Sequence, residues 1–369
     1  KDSLQFLKND YLLPHQSVEN RIQIIGDAAE RILDIKGLSL KIQSYISKGW
    51  ISPSTPIWSN FGTDRGLSIS CFGSLMSDSI ESILYTAAEI GTMSKQGGGT
   101  SGYFGNLRSR GSVVKNNGVS NGSKSFLDLF QTTTSVITQG VRRGYFAAYQ
   151  DIFHPDIKEW LNIRAEGDPI QHITWGVCVP TWWIEQMRNG DEDKRVIWAK
   201  VIQKRFETGL PYIFFSDNNN NGESTPECYK GKNLIKASNM CQEIALPSNE
   251  NESFVCDLCS LNDLYYNEWK DTDCVEVAVQ LLDAAMTEFI EKASKIKFME
   301  RAVNFAKNHR AIGIGRLGYH SLLQSRMIPF ESMEARSINI EIQKTIQKQA
   351  LEASRKLSER LSECEWTKG

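Results

Sequence analysis

Lys236-Ala237-Ser238-Asn239-Met240-Cys241-Gln242-Glu243-Ile244 reads as one short extended run, and the order of elements on either side of it decides the fold class. In an extended chain, side chains two apart point the same way. Asn239, Cys241 and Glu243 are therefore expected to face one site. They form a chemically directed set: an amide that can orient a hydroxyl, a thiol that can act as nucleophile or hydrogen-atom carrier, and a carboxylate that can accept a proton. The competing reading is a buried structural cysteine whose polar neighbours face water.

On the amino-terminal side of that run, Tyr212-Ile213-Phe214-Phe215 is a short apolar strand and Val196 to Phe206 has helical spacing. Before those, Ile173, Trp175, Val177 and Val179 alternate as a strand, Phe126 to Ile137 and Ser79 to Met93 read as helices, and Leu67 to Phe72 alternates again. Strands alternating with helices predict a parallel α/β architecture. Residues 1–53 carry helical spacing over Arg21 to Leu33 and Leu38 to Ile46, ahead of a turn at Ser52-Pro53-Ser54-Thr55-Pro56. They predict a small helical lead-in to a catalytic portion over 54–369. On the carboxyl-terminal side the last hundred residues are mostly helical, with Ala278, Leu281, Leu282, Ala285 and Phe289 on one face. Ile342, Ile346, Ala350, Ala353, Leu357 and Leu361 form a second apolar stripe that needs a cover, and little chain remains to supply one.

The charge balance is 42 basic against 44 acidic residues, net -2, so no broad field favours nucleic acid or an anionic membrane. No apolar run reaches membrane-spanning length and no signal peptide is evident. A soluble, cytoplasmic protein that binds neither nucleic acid nor membrane is expected. The 8 cysteines spread over 369 residues lack the density of a secreted disulfide scaffold; reduced thiols are the default, and any disulfide would be catalytic. Lys1 stands where a Met would open a complete chain, so a start upstream is expected.

Two glycine-rich stretches imitate nucleotide-binding loops. Gly97-Gly98-Gly99-Thr100-Ser101-Gly102 has the G-x-G-x-x-G form, but helical spacing precedes it and an extended stretch follows, the reverse of what the dinucleotide fingerprint requires. Its glycines have another use, the close approach of backbone and ligand. Gly313-Ile314-Gly315-Arg316-Leu317-Gly318 is a better imitation, with a short strand at Ala311 to Ile314 and a helix start at Tyr319 to Gln324; a helix-packing turn is the simpler reading. Cys256-Asp257-Leu258-Cys259 has the spacing of half a zinc site that nothing nearby completes, and no histidines pair at ligand spacing, so no metal site is expected. Tyr265-Tyr266 reads as packed aromatics.

Taken in order and spacing, several of these stretches resemble the catalytic large subunit of class I ribonucleotide reductase. They are Ser54-Thr55-Pro56-Ile57, Ser70-Cys71, Asp78-Ser79, the triple glycine, Gly140-Val141-Arg142-Arg143-Gly144, Asn239 to Pro247, Val255 to Asn262 and Ala311 to Gly315. The resemblance runs through most of the chain. It implies a ten-stranded α/β barrel, incomplete in this chain, with Cys241 at the tip of a finger loop inside it. It also implies reduction of ribonucleoside diphosphates to 2′-deoxyribonucleoside diphosphates. Cys241 would carry a transient thiyl radical and take the ribose 3′-hydrogen, because a sulfur–hydrogen bond is weak enough to break and remake. Glu243 would accept the 3′-hydroxyl proton and Asn239 would hold the ribose. Cys71 and Cys256 would be the redox dithiol that releases the 2′-hydroxyl as water and closes to a disulfide. Spacing alone leaves Cys259 as a competitor, and the family's Leu-x-x-x-Asn register, met by Leu258 and Asn262, favours Cys256.

By the same resemblance, Thr55, Ser70, Cys71 and the Gly99 backbone would bind substrate beside Asn239, Cys241 and Glu243. Asp78, Ser79, Arg108 and Lys115 would bind a deoxynucleoside triphosphate or ATP effector with Mg. Lys115 stands where arginine is more familiar, which keeps the charge and loses the fork. Gly140, Arg142 or Arg143, and Gly144 would form the loop relaying effector identity to the substrate base. No tightly bound cofactor is implied. The radical would come from a separate metal-containing small subunit, the external reductant would be thioredoxin or glutaredoxin, and the large subunit would homodimerise. The family's phosphate loop of Pro-Thr-Ala-Ser type, its tyrosine pair, its carboxyl-terminal cysteines and its ATP cone are not found in this sequence, so completion by a second polypeptide is expected. The alternatives are an NAD-linked oxidoreductase built on Gly313 to Gly318 and a catalytically silent nucleotide sensor of the same fold.

Overall fold

The computed structural model describes residues 5, 7–9, 11–14, 16–116, 118–139, 142–223, 225–361, 364 and 365. Its strands are β1 (Ile51–Pro53), β2 (Cys71–Leu75), β3 (Gly99–Tyr103), β4 (Thr138–Gln139), β5 (Arg142–Arg143), β6 (Phe146–Asp151), β7 (Thr174–Val179), β8 (Tyr212–Phe215), β9 (Phe254–Asn262) and β10 (Ile312–Leu317). The chain divides into two compact units: Cys71–Val255 with Ile296–Phe305, and Lys1–Ser70 with Cys256–Lys295 and Ala306–Gly369. None of the described helices is long and apolar enough to cross a membrane.

In the first unit, β2, β3, β6, β7 and β8 lie side by side in that order, each parallel to its neighbour. Helices carry the chain between them, as parallel pairing demands. The Ile80–Lys95 helix links β2 to β3, and it starts at Ser79, whose hydroxyl accepts from the Ser82 N–H at 3.1 Å. The Leu127–Val136 helix stands between β3 and β6, and the Glu192–Thr208 helix between β7 and β8. All of β2 is buried and so is all of β7 except Thr174. The alternation of Ile173 to Val179 is therefore not an inside/outside pattern; this is a parallel sheet covered on both faces. Phe104 anchors the core on one face, meeting Phe130 edge-on at 5.3 Å and Trp160 at 5.4 Å.

One buried ion pair ties the same unit together. Arg301 and Glu89 are both buried and meet through Nε and Oε1 at 3.2 Å. Ser74 and Ser253 donate their hydroxyls to Glu89 Oε2 at 2.8 and 3.0 Å, while Arg301 also donates to the Leu75 carbonyl at 2.9 Å and to the Thr86 hydroxyl at 3.1 Å. A buried charge is tolerable when its polar valences are met in this way.

In the second unit, β9 pairs antiparallel with β1 and parallel with β10. One apolar cluster joins Ile25 and Leu33 of the Val18–Leu33 helix, Ile42 of Leu38–Ser47, Ala278 and Leu281 of Cys274–Ala293, and Ile342 and Ile346 of Met333–Leu361. The apolar stripe on the last helix is thus covered within the chain, contrary to expectation. Its helical periodicity turns it onto the Cys274–Ala293 helix, and Leu361 is the one of its six residues left exposed. The expected turn at Ser52 to Pro56 is instead the end of β1 and the start of the Thr55–Asn60 helix, where Pro56 suits the first turn. Buried Arg21 closes the other end of that helix, donating to the carbonyls of Ile57 at 2.9 Å, Trp58 at 2.5 Å and Phe61 at 2.6 Å. Burial lowers its guanidinium to about 10, which leaves it charged at neutral pH.

The glycines at 313 and 315 lie within β10. A Cβ at Gly313 would sit 2.4 Å from Leu258 Cδ2, and one at Gly315 2.9 Å from Ser260 Oγ. They serve close strand packing, so the dinucleotide loop that an NAD-linked enzyme would need is not formed there.

Candidate active site

The stretch around Cys241 is a tight loop and not the extended run expected. Ser238 and Ala245 form an antiparallel bridge at its base, and the Ser238 hydroxyl donates to the Ile244 carbonyl at 2.6 Å. Between them the Gln242 N–H donates to the Asn239 carbonyl at 3.2 Å, and Gln242 sits at φ +66. The turn breaks the two-residue alternation, so Asn239, Cys241 and Glu243 do not share a face as pleated neighbours. Asn239 is wholly buried; its side-chain oxygen accepts from the Ile244 N–H at 3.0 Å and so holds the loop closed. Cys241 and Glu243 are exposed at the tip.

What converges instead is a cluster about Cys71. This residue opens β2, directly opposite Gly99 of β3 in the parallel register. Asn239 Nδ2 donates to the Cys71 sulfur at 3.4 Å, and the Cys71 thiol lies 3.8 Å from Glu243 Oε1. Burial first, and then the Glu243 carboxylate, push the Cys71 thiol up to about 12, against a smaller downward pull from the Asn239 amide. Partial burial and the same carboxylate also raise Cys241. Gly98, whose added Cβ would fall 2.1 Å from the Phe72 ring, lets β3 begin beside β2. Among the described residues the cysteines carry no disulfide.

Thr55, Ser70 and Cys256 belong to the other unit. Thr55 begins the Thr55–Asn60 helix, its hydroxyl 3.5 Å from that of Tyr11. The Ser70 hydroxyl is buried with no hydrogen-bond partner among the described residues. Cys256 and Cys259 are both buried on β9 and, three residues apart, fall on opposite faces. Cys259 sits in the apolar cluster with Ile51 and Trp269, where burial pushes its thiol far up.

The expected effector residues are grouped in the first unit. Arg108 Nε meets Asp78 Oδ2 at 2.6 Å, and the Arg108 N–H donates to Asp78 Oδ1 at 3.1 Å. Asp78 precedes Ser79, the cap of the Ile80–Lys95 helix, and Lys115 is exposed in a turn closed by the Val113–Val119 bridge. Gly140 lies outside the described residues. Arg142 and Arg143 form β5, paired antiparallel with β4. Gly144 has to be glycine, since a Cβ there would lie 2.6 Å from the Thr134 carbonyl oxygen and 2.9 Å from that of Ile137.

Two residues that matter to the loop were not singled out from sequence. Tyr149 of β6 donates its hydroxyl to the Asn239 carbonyl at 2.8 Å, and Gln242 Nε2 donates to the Ile213 carbonyl at 2.5 Å. A usable signal was Gly176, a glycine inside an apolar strand, which commonly marks a close approach.

Residues 69–195 and 185–368 match the family described as "Ribonucleotide reductase, barrel domain". The chain is 33% identical over 347 residues to the "Putative ribonucleoside-diphosphate reductase large subunit" of Frog virus 3 (isolate Goorha), covering 88% of this chain and 60% of that protein. It is 30% identical over 421 residues to the large subunit of Invertebrate iridescent virus 3, covering 93% and 65%. Among solved structures, the "Actinobacillus ureae class Id ribonucleotide reductase alpha subunit" superimposes with a TM-score of 0.95 at 50% identity, over 99% of this chain and 69% of that one. The chain therefore spans less than two thirds of the length of these curated relatives. With most of its length matched, it belongs to the ribonucleotide reductase barrel-domain family, and its fold is the α/β barrel type of that family.

Proposed function

We propose that this chain carries the catalytic centre of a ribonucleoside-diphosphate reductase. What carries the reading is the cluster in which Asn239 and Glu243 both reach the Cys71 thiol from a loop that has Cys241 at its tip. Cys241 takes the ribose 3′-hydrogen as a thiyl radical and later returns it. Glu243, exposed beside both thiols, accepts the 3′-hydroxyl proton; such transfers contribute about 10² to 10⁴ in rate. Cys71, held protonated at neutral pH, has a proton to give as the 2′-hydroxyl leaves as water. Cys71 and Cys256 then supply two electrons and close to a disulfide, and the product is the 2′-deoxyribonucleoside diphosphate. Asn239 fixes the geometry, and Thr55, Ser70 and the Gly99 backbone receive the substrate.

Asp78, Ser79, Arg108 and Lys115 form the effector site for a deoxynucleoside triphosphate or ATP with Mg, and the β4–β5 hairpin with Gly144 relays its identity. The radical comes from a metal-containing small subunit and the reducing equivalents from thioredoxin or glutaredoxin; the large subunit acts as a homodimer in the cytoplasm. The test is reduction of a ribonucleoside diphosphate by the full-length protein with its small subunit. Cys241→Ser is expected to abolish turnover while effector binding is kept, and a single turnover of the unaltered protein should leave a Cys71–Cys256 disulfide on peptide mapping. Effector binding with no turnover in the unaltered protein would mean a nucleotide sensor, and a Cys71–Cys259 bridge would reassign the dithiol.

A further inference from the structure

We infer that Tyr149 and Gln242 are positioning residues for Cys241, pinning its loop from two different strands. The inference rests on the reading of Cys241 as the reacting thiol. A loop with one bridged pair at its base and an exposed tip has backbone freedom of its own. Holding a thiol against one hydrogen of a ribose requires that freedom to be removed, and a misplacement of about 1 Å costs on the order of 10²-fold in rate.

Both pins act on backbone carbonyl oxygens, one within the loop and one on β8. From β6, the Tyr149 hydroxyl adds a second hydrogen bond, 2.8 Å long, to the Asn239 carbonyl that already accepts from Gln242 N–H. Towards β8, the Gln242 side chain reaches the Ile213 carbonyl at 2.5 Å while its backbone stands at φ +66, where side-chain-bearing residues are uncommon. Cys241 lies between the two anchored residues.

The aim of Tyr149 is itself built by the sheet. It pairs with Gly176 of β7, where an added Cβ would lie 2.6 Å from the tyrosine ring. Phe214 of β8 meets the ring edge-on, with centroids 6.4 Å apart and planes at 71°. Glycine weakens the interior of a strand, so its presence in a buried one has a packing reason. Here the space it leaves is taken by the ring that carries the hydroxyl to Asn239. Burial pushes the Tyr149 phenol far above its ordinary range, so it remains a donor at every working pH.

Tyr149→Phe removes one oxygen and keeps the ring, and Gln242→Gly removes the other pin while suiting the positive φ. Both variants are made in the full-length protein and compared with it by amide hydrogen exchange and, with the small subunit present, by steady-state diphosphate reduction. Expected are at least about tenfold faster exchange at the Gln242 and Ile244 amides, with β6 to β8 unmoved, and a fall in kcat on the order of 10²-fold. KM should stay within about threefold, the pattern of an interaction needed in the transition state. Gln242→Gly should keep or raise the thermal midpoint while losing kcat, a combination that a merely structural role would not produce. Unchanged exchange in both variants overturns the inference, and so does kcat within about threefold of the parent in both. If the unaltered protein reduces no diphosphate, the functional reading fails, and the exchange data still decide whether the pins hold the loop.

Discussion

The Glu89–Arg301 pair and the Cys71 cluster lie in the same unit and use polar groups in opposite ways. Glu89 and Arg301 are buried, and their oxygens and nitrogens are met by each other, by three hydroxyls and by a carbonyl. Such a network rigidifies and has nothing left to offer. At the loop, Cys71 has two long contacts to its sulfur, and Glu243 and Cys241 are exposed. Unmet valences are a liability in a core and, on the function proposed above, a resource at the loop. The difference distinguishes the two clusters more sharply than burial does, because Cys71 and Glu89 are both buried.

The harshest test of the closed network is Arg301→Ala, which strands the Glu89 carboxylate with two hydroxyls for company. Removing one partner of a buried pair typically destabilises by about 3 to 5 kcal/mol, to be read from the urea midpoint. A loss below about 1 kcal/mol would put the pair with ordinary surface bridges and dissolve the contrast.

The open cluster is tested by thiol chemistry. Cys71 is both buried and raised to about 12, whereas Cys241 is exposed at the loop tip. Since the thiolate is the nucleophile, iodoacetamide near neutral pH should label Cys241 at least about a hundredfold faster than Cys71. The folded protein holds the Cys71 proton more tightly than an unfolded chain does. Its contribution to stability is therefore complete below the ordinary thiol value of 9.0 and is lost as the pH climbs from there to about 12. Glu243→Gln, which removes the second cause of the shift, should move the onset of Cys71 labelling to lower pH; an unmoved onset would assign the whole effect to burial.

The gentlest test is Ser79→Ala. It removes the hydroxyl that accepts from Ser82 N–H at the start of the Ile80–Lys95 helix and should cost about 1 kcal/mol, seen in the same urea titration. A loss well beyond that would mean that the start of this helix belongs with the closed network.

Much of this molecule was legible in its residues. The β7 and β8 regions and the helices alternating with them announced parallel α/β architecture, and Ser79 marked a helix start, whereas the strand expected over Leu67 to Phe72 runs instead over Cys71–Leu75 and shares only Cys71 and Phe72 with it. The pairing of Cys71 with Asn239 and Glu243 came through a resemblance and not through spacing, because residues 71 and 239 meet only once the sheet exists. The alternation argument over Asn239 to Glu243 expected three side chains on one face of an extended run, and the turn at Gln242 breaks that alternation. A hydrogen bond from a tyrosine 90 residues away leaves no trace in local periodicity, and neither does the helix that covers Ile342 and Ile346. Gly176 and Gly98 were visible as glycines, but the rings they admit, Tyr149 and Phe72, are known only from register.

Arg21 carries a last implication. Its single guanidinium serves the three carbonyls at the end of the Thr55–Asn60 helix, so the helix that bears Thr55 is moored to a side chain from the first stretch of the chain. A shortened protein that starts after residue 33 would remove the donor that those three oxygens share. Trimming the opening helices to obtain a tidier fragment would therefore unsettle residues far along the polypeptide.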